Sequence, residues 1–129
     1  MITEDFVSYK IAELLNKKGF NEDCLYYYKK DNDCKFPYSH YHDFDIKDRI
    51  ECPTHQMTKK WLAEKHSIII NIQYGWFNAN GFKYQATIMK MLRTDYPADA
   101  FDIERKAFLC DKYEDAEAAA FEYILERMI

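Results

Sequence analysis

Glycine and proline are scarce in this chain, three of each in 129 residues, which excludes collagen-like and linker-like compositions. Long apolar runs are missing as well. The longest aliphatic stretch is Ile68 to Ile70, far short of the ~20 residues a helix needs to cross a bilayer, so no membrane association is expected. The opening Met1-Ile2-Thr3-Glu4-Asp5 is acidic and has no apolar h-region, which points away from secretion and toward the cytoplasm. No Lys/Arg cluster is longer than a pair, and 18 basic against 22 acidic side chains leave a net charge of −4. Phosphate neutralisation supplies most generic nucleic-acid affinity, so nucleic acid is not the expected partner. Cysteine is sparse too. Cys24, Cys34, Cys52 and Cys110 show no paired spacing, and a cytoplasmic domain of this length needs no staples, so free thiols are expected.

What the chain does contain is apolar residues (48%) and charged residues (31%) in the proportions of a globule. Its length suits one domain, residues 1–129. Aromatic residues stand out at 17%, with 11 tyrosines and nine phenylalanines. A core of this size needs fewer, so part of the surplus is expected at the surface, where tyrosine offers a rigid face and a polar tip to a partner.

Periodicity supplies the elements. Val7, Ile11, Leu14 and Leu15 form the stripe of a first helix, with Thr3 as its expected N-cap and Gly19 as its stop. Phe20, just beyond, is placed to fold back on Leu15. Cys24 to Lys29 reads as a short aromatic strand. Residues 31–51 show no period, so the segment is either functional or hides a strand. Pro53 is expected at the first position of a second helix that runs to about Lys65. Ile68 to Tyr74 and Phe82 to Ile88 both alternate, and "NANG", Asn78 to Gly81, lies between them, which makes a β-hairpin. A short strand around Ala107 to Cys110 follows. The closing helix starts at Asp111, whose spacing to Glu114 fits a capping box. The resulting expectation is an α+β two-layer domain, a mostly antiparallel sheet with helices packed on one face. The opposite face, with Ile69, Met89 and Met91 beside Lys83, Gln85 and Thr87, is mixed enough to be solvated or to meet a partner.

Three constellations could carry chemistry. The stretch "CKFPYSHYHDFD", Cys34 to Asp45, places His40 and His42 on one side of an extended chain. Structural zinc sites bring ligands in tight pairs, however, and Cys52-x2-His55 is the only such pair, so no metal or other cofactor is expected. A thiol reading puts Cys52 at the N-cap of the second helix with His55 as its base. It has no evident orienting group or oxyanion hole, so no enzyme is expected. The third constellation is aromatic: Tyr26 to Tyr28, Tyr38 and Tyr41, and Trp76 and Phe77 by the hairpin turn. Tyrosines facing outward from a sheet can anchor a protein or stack on bases.

"PTHQMTKKWL" (Pro53 to Leu62), "HSIIINI" and "YEDAEAAAFEYILERMI" (Tyr113 to Ile129) resemble the motifs of a family of small proteins of uncharacterised role encoded in gut bacteria and their phages or mobile elements. The opening "ITEDFVSYKIAELLNKKGF" is similar to theirs too. Cys52 stands where that family usually has a small apolar residue. The resemblance implies a cytoplasmic accessory protein and no catalytic residue.

The expected function is therefore that of a protein-binding module, with Tyr38, His40, Tyr41, His42, Trp76 and Phe77 as the binding residues and an unidentified protein as partner. Homodimerisation is left open. The rival is a small metal- or thiol-dependent enzyme built on His40, His42, Cys52 and His55. A further alternative is single-stranded nucleic-acid binding through tyrosine stacking.

Overall fold

The computed structural model describes residues 5–29, 38–39, 49–76, 81–91 and 101–129. Among these residues three helices, α1 (Tyr9–Lys17), α2 (His55–His66) and α3 (Tyr113–Arg127), pack with six strands: β1 (Tyr26–Lys29), β2 (Tyr38–Ser39), β3 (Arg49–Cys52), β4 (Ile68–Trp76), β5 (Phe82–Met91) and β6 (Phe101–Cys110). The fold is α+β, and every strand pairing among the described residues is antiparallel. The strands form two sheets where one was expected, in the orders β2-β1-β3 and β4-β5-β6. Both strands that flank β1 come from the segment without a period. β2 is only two residues long, and β3 only four, with burial that alternates along RIEC.

α1 starts later than its apolar stripe suggests. Ser8 is the N-cap and accepts from the Ile11 N–H at 3.4 Å; Thr3 lies outside the described residues. The chain before it is drawn into a pairing with the start of α2. Phe6 bridges Thr54, the Val7 N–H donates to the Pro53 carbonyl at 3.1 Å, and the His55 N–H donates to the Asp5 carbonyl at 2.8 Å. That pairing satisfies backbone groups that helix ends leave orphaned, and it buries Val7 completely. The stop is as expected. Gly19 takes φ +91°, the Phe20 N–H reaches the Leu15 carbonyl at 3.0 Å and the Gly19 N–H reaches that of Asn16 at 3.3 Å, both bonds of a Schellman motif.

At α2 the cap is Thr54, whose hydroxyl accepts from the Met57 N–H at 3.1 Å. Cys52 is therefore not an N-cap. It is the last residue of β3, paired with Tyr26. At α3 the expected Asp111 cap gives way to Lys112, and Asp111 instead forms an ion pair with Lys83. β6 is ten residues long, more than twice its expected extent. A register shift opposite Thr87 and Ile88 inserts extra residues into β6, and such an insertion breaks the alternation by which a strand is recognised.

One apolar cluster joins these pieces. α3 supplies Ala116, Ala120, Phe121, Ile124 and Leu125, all fully buried, and meets α1, α2 and the β4-β5-β6 sheet. Its alanines permit a close approach to the strands. α1 contributes Ile11, Ala12 and Leu15, and α2 contributes Trp61 and Leu62. Phe20 seals the end of α1, meeting Trp61 edge to face at 5.4 Å.

Candidate functional site

The β4–β5 register puts residues 68, 70, 72, 74 and 76 on the same face as 82, 84, 86, 88 and 90. Near the helices that face is core, with Ile68, Ala86 and Ile88 fully buried. Toward the turn it emerges. Tyr74 is 61% exposed, Trp76 64% and Phe82 59%. These rings touch one another: Trp76 meets Phe82 edge to face at 5.2 Å, Phe82 stacks on Tyr74 at 5.7 Å, and Tyr74 lies 4.7 Å from Tyr84. Tyr84 in turn meets Tyr113, the first residue of α3, edge to face at 5.9 Å. The result is an unbroken ridge of five aromatic rings from the hairpin end to the helix layer.

At the foot of the ridge lies a polar cleft of about 170 Å³, lined by Asp5, His55, Gln56, Lys59, Tyr113 and Glu117 among others. Lys59 links the two features. Its ammonium sits 5.7 Å from the centre of the Tyr113 ring, donates to the Tyr113 hydroxyl at 3.3 Å, and pairs with Glu117 Oε2 at 2.7 Å. That last contact is an ion pair that brings the ammonium against the buried carboxylate. Glu117 Oε1 is 3.2 Å from His55 Nδ1. A carboxylate can only accept, so Nδ1 carries the proton of that bond. Glu117 and His55 are 2% and 6% exposed, and the His55 ring meets Phe121 edge to face at 5.1 Å.

Burial pushes the Glu117 carboxyl up, but the His55 hydrogen bond and the Lys59 ammonium outweigh it and hold the group below its ordinary value. Burial likewise lowers Lys59, and the contacts with Glu117 and Tyr113 more than reverse it, leaving the ammonium raised. The two charges sustain each other.

Of the expected binding residues, Trp76 lies in the ridge. Tyr38 is in β2, paired with Tyr27. His40, Tyr41, His42 and Phe77 lie outside the described residues. The thiol pair is not assembled. The Cys52 thiol points to the Val7 carbonyl at 3.6 Å, is buried, and is pushed up to about 12, chiefly by that burial. His55 turns its Nδ1 to Glu117 instead. Cys24, Cys52 and Cys110 are free thiols. Among the described residues no group of three or more His, Cys, Asp or Glu could hold a metal ion, and no helix is long and apolar enough to cross a membrane.

Sequence reasoning missed Tyr74, Phe82, Tyr84, Tyr113, Glu117 and Lys59 as site residues. For the hairpin a signal was present: Tyr74 and Trp76 share a parity before the turn, and Phe82 and Tyr84 share one after it. For Glu117 no signal existed, because one carboxylate among alanines on a helix reads as solvated surface. Comparison of the chain with protein-family models, with curated proteins and with solved structures finds no match.

Proposed function

We propose that this chain is a protein-binding module and that the aromatic ridge of the β4–β5 hairpin is the surface that meets its partner. The observation that carries this reading is the contiguity of Tyr74, Trp76 and Phe82, each more than half exposed and each in ring contact with another. Single exposed apolar side chains are ordinary; a touching set is not. Rigid aromatic side chains are the usual anchors of protein interfaces, because they desolvate much area for little lost rotamer freedom. The net charge of −4 favours a protein over a nucleic acid on this surface. A cytoplasmic accessory role in phage or mobile-element life, as the family resemblance implies, suits a module of this kind.

The test is cross-linking capture from the native host lysate with wild-type protein and with Phe82→Ala and Trp76→Ala. A stoichiometric partner retained by the wild type and lost by both variants, each of which still unfolds in one cooperative transition with a midpoint lowered by no more than a few degrees, is the expected result. Retention by both variants would sink the assignment.

One observation favours a second reading. Glu117 orients the His55 imidazole beside a cleft, an arrangement suited to acid–base work. If that is its use, His55→Gln abolishes an activity while leaving partner capture intact.

A further inference from the structure

Among the described residues β4 and β6 are the two edges of one sheet, and they are built in opposite ways. The β6 sequence contains Asp102, Glu104, Arg105 and Lys106, and its pairing with β5 is broken by a register shift. Charge and bulges are what keep a sheet edge from accepting another strand. β4, IIINIQYGW, has neither. Its nine residues include no charged side chain and no proline, and all of them pair with β5 without a shift. Among the described residues, no β4 backbone group bonds outside the hairpin. The side chains beside that edge are also undercovered. Ile70 and Ile72 are only half-buried, whereas Ala86 and Ile88 opposite them on β5 are completely buried.

We propose that β4 pairs with the β4 of a second copy of this chain, antiparallel and centred on Ile72, joining two three-stranded sheets into one. The strand is self-complementary in that register, the one register that engages its whole length. Ile72 faces its own counterpart, Ile70 faces Tyr74 and Ile68 faces Trp76 on the helix side of the sheet. On the outer side the amide of Asn71 meets the amide of Gln73, and Ile69 lies against Gly75, which has no side chain to obstruct it. No like charges oppose each other, and the half-exposed isoleucines and two ridge aromatics gain cross-strand neighbours. The fit is of the isologous kind, where one patch serves both partners. The pairing needs no heterologous partner, although Tyr74 and Trp76 belong to both surfaces. Phe82 and Tyr84 lie one strand further in and stay open, so the dimer would present two ridges and bind a repeated target with avidity.

The experiment is sedimentation equilibrium of the full chain from low to high micromolar concentration, with two variants altered only at exposed outer-face positions. Wild type is expected at twice the 15.5 kDa chain mass. The variant N71E/Q73E sets like charges directly opposite each other and should weaken the dimer by more than about tenfold. The variant N71K/Q73E sets Lys against Glu across the interface and should restore the dimer, more tightly at low salt. Circular dichroism of both variants shows that each is folded, and Phe82→Ala should leave the mass unchanged. A wild type that stays monomeric throughout, or a dimer that N71E/Q73E leaves intact, would overturn the proposal; a monomer whose β4 amides gain exchange protection only with a captured partner would assign the edge to that partner's strand.

Discussion

The two ends of one sheet face follow the same rule of alternation and meet opposite fates. At the helix end of the β4–β5 hairpin, Ile68, Ala86 and Ile88 vanish into the core; at the turn end, Tyr74, Trp76 and Phe82 stand in solvent. Lengths account for the difference. The fifteen residues of α3 make a helix of about 22 Å at ~1.5 Å per residue. The ten residues of β5 extend about 34 Å at ~3.4 Å per residue. Even a helix laid straight along the strand would leave its end bare. Apolar alternation therefore specifies which side of a strand is apolar, and the length of the covering element decides how much of that side becomes core. Where the strand outruns its cover, the same pattern makes a binding surface.

The largest expected effect lies at the covered end. Ile88→Ala removes a completely buried side chain beneath α3 and should cost about 2–5 kcal/mol, the transfer loss plus the cavity it leaves. Urea denaturation reads this as a lower midpoint with an unchanged slope. A cost within experimental error would mean that the two ends of the face are not different environments.

Second in size is the polar link between the ends. Glu117→Gln leaves the Lys59 ammonium without its counter-charge and weakens the bond to His55. Removing one member of a buried pair costs about 3–5 kcal/mol, and Lys59 is 24% exposed at its side chain, so partial rehydration should bring the loss to about 2 kcal/mol. The pH dependence has a definite sign. The folded-state value of Glu117 lies below its ordinary 4.5, so its contribution is complete above that pH and is lost as pH falls through the depressed value. Wild type should therefore lose stability relative to Glu117→Gln on acidification below pH 4.5, so that the gap between them narrows. A constant gap from neutral pH down to the acid range would show that Glu117 is not the depressed carboxylate described above.

These two predictions draw on residues of unequal legibility. The burial of Ile88 could be read from the alternation Phe82, Tyr84, Ala86, Ile88, and the stop of α1 from Gly19 and Phe20, because both are local patterns with a fixed geometry. β3 was hidden, since four residues beside an aperiodic stretch offer too little pattern to recognise. The late start of α1 and the shift of the α2 cap from Cys52 to Thr54 share one cause, the pairing of Phe6 with Thr54, a contact between segments far apart in the chain. The same holds for the cleft. His55, Lys59 and Glu117 come from two helices separated by the whole β4-β5-β6 sheet in sequence, and only the fold brings them together. Trp76 was singled out because an aromatic beside a turn is conspicuous, and it lies in the ridge. Phe82 was missed because its parity matched the core-facing residues, and the sequence does not mark where the helix cover ends.

The smallest expected effect belongs to the exposed end and completes the comparison. Phe82→Ala removes a ring that is mostly in solvent and whose contacts are the cross-strand pair with Trp76 and the stack on Tyr74. Cross-strand aromatic pairs contribute about 0.2–1 kcal/mol, so the stability loss should stay at or below about 1 kcal/mol, well under that of Ile88→Ala on the same strand and the same face. Thermal denaturation of the two variants side by side measures the contrast. If Phe82→Ala proves as costly as Ile88→Ala, the ridge is an extension of the core that holds the hairpin end together, and its exposure is no reserve for a partner. If the cost is small while partner capture is lost, the surplus of aromatic residues in the composition has its explanation in the part of the hairpin that the helices do not reach.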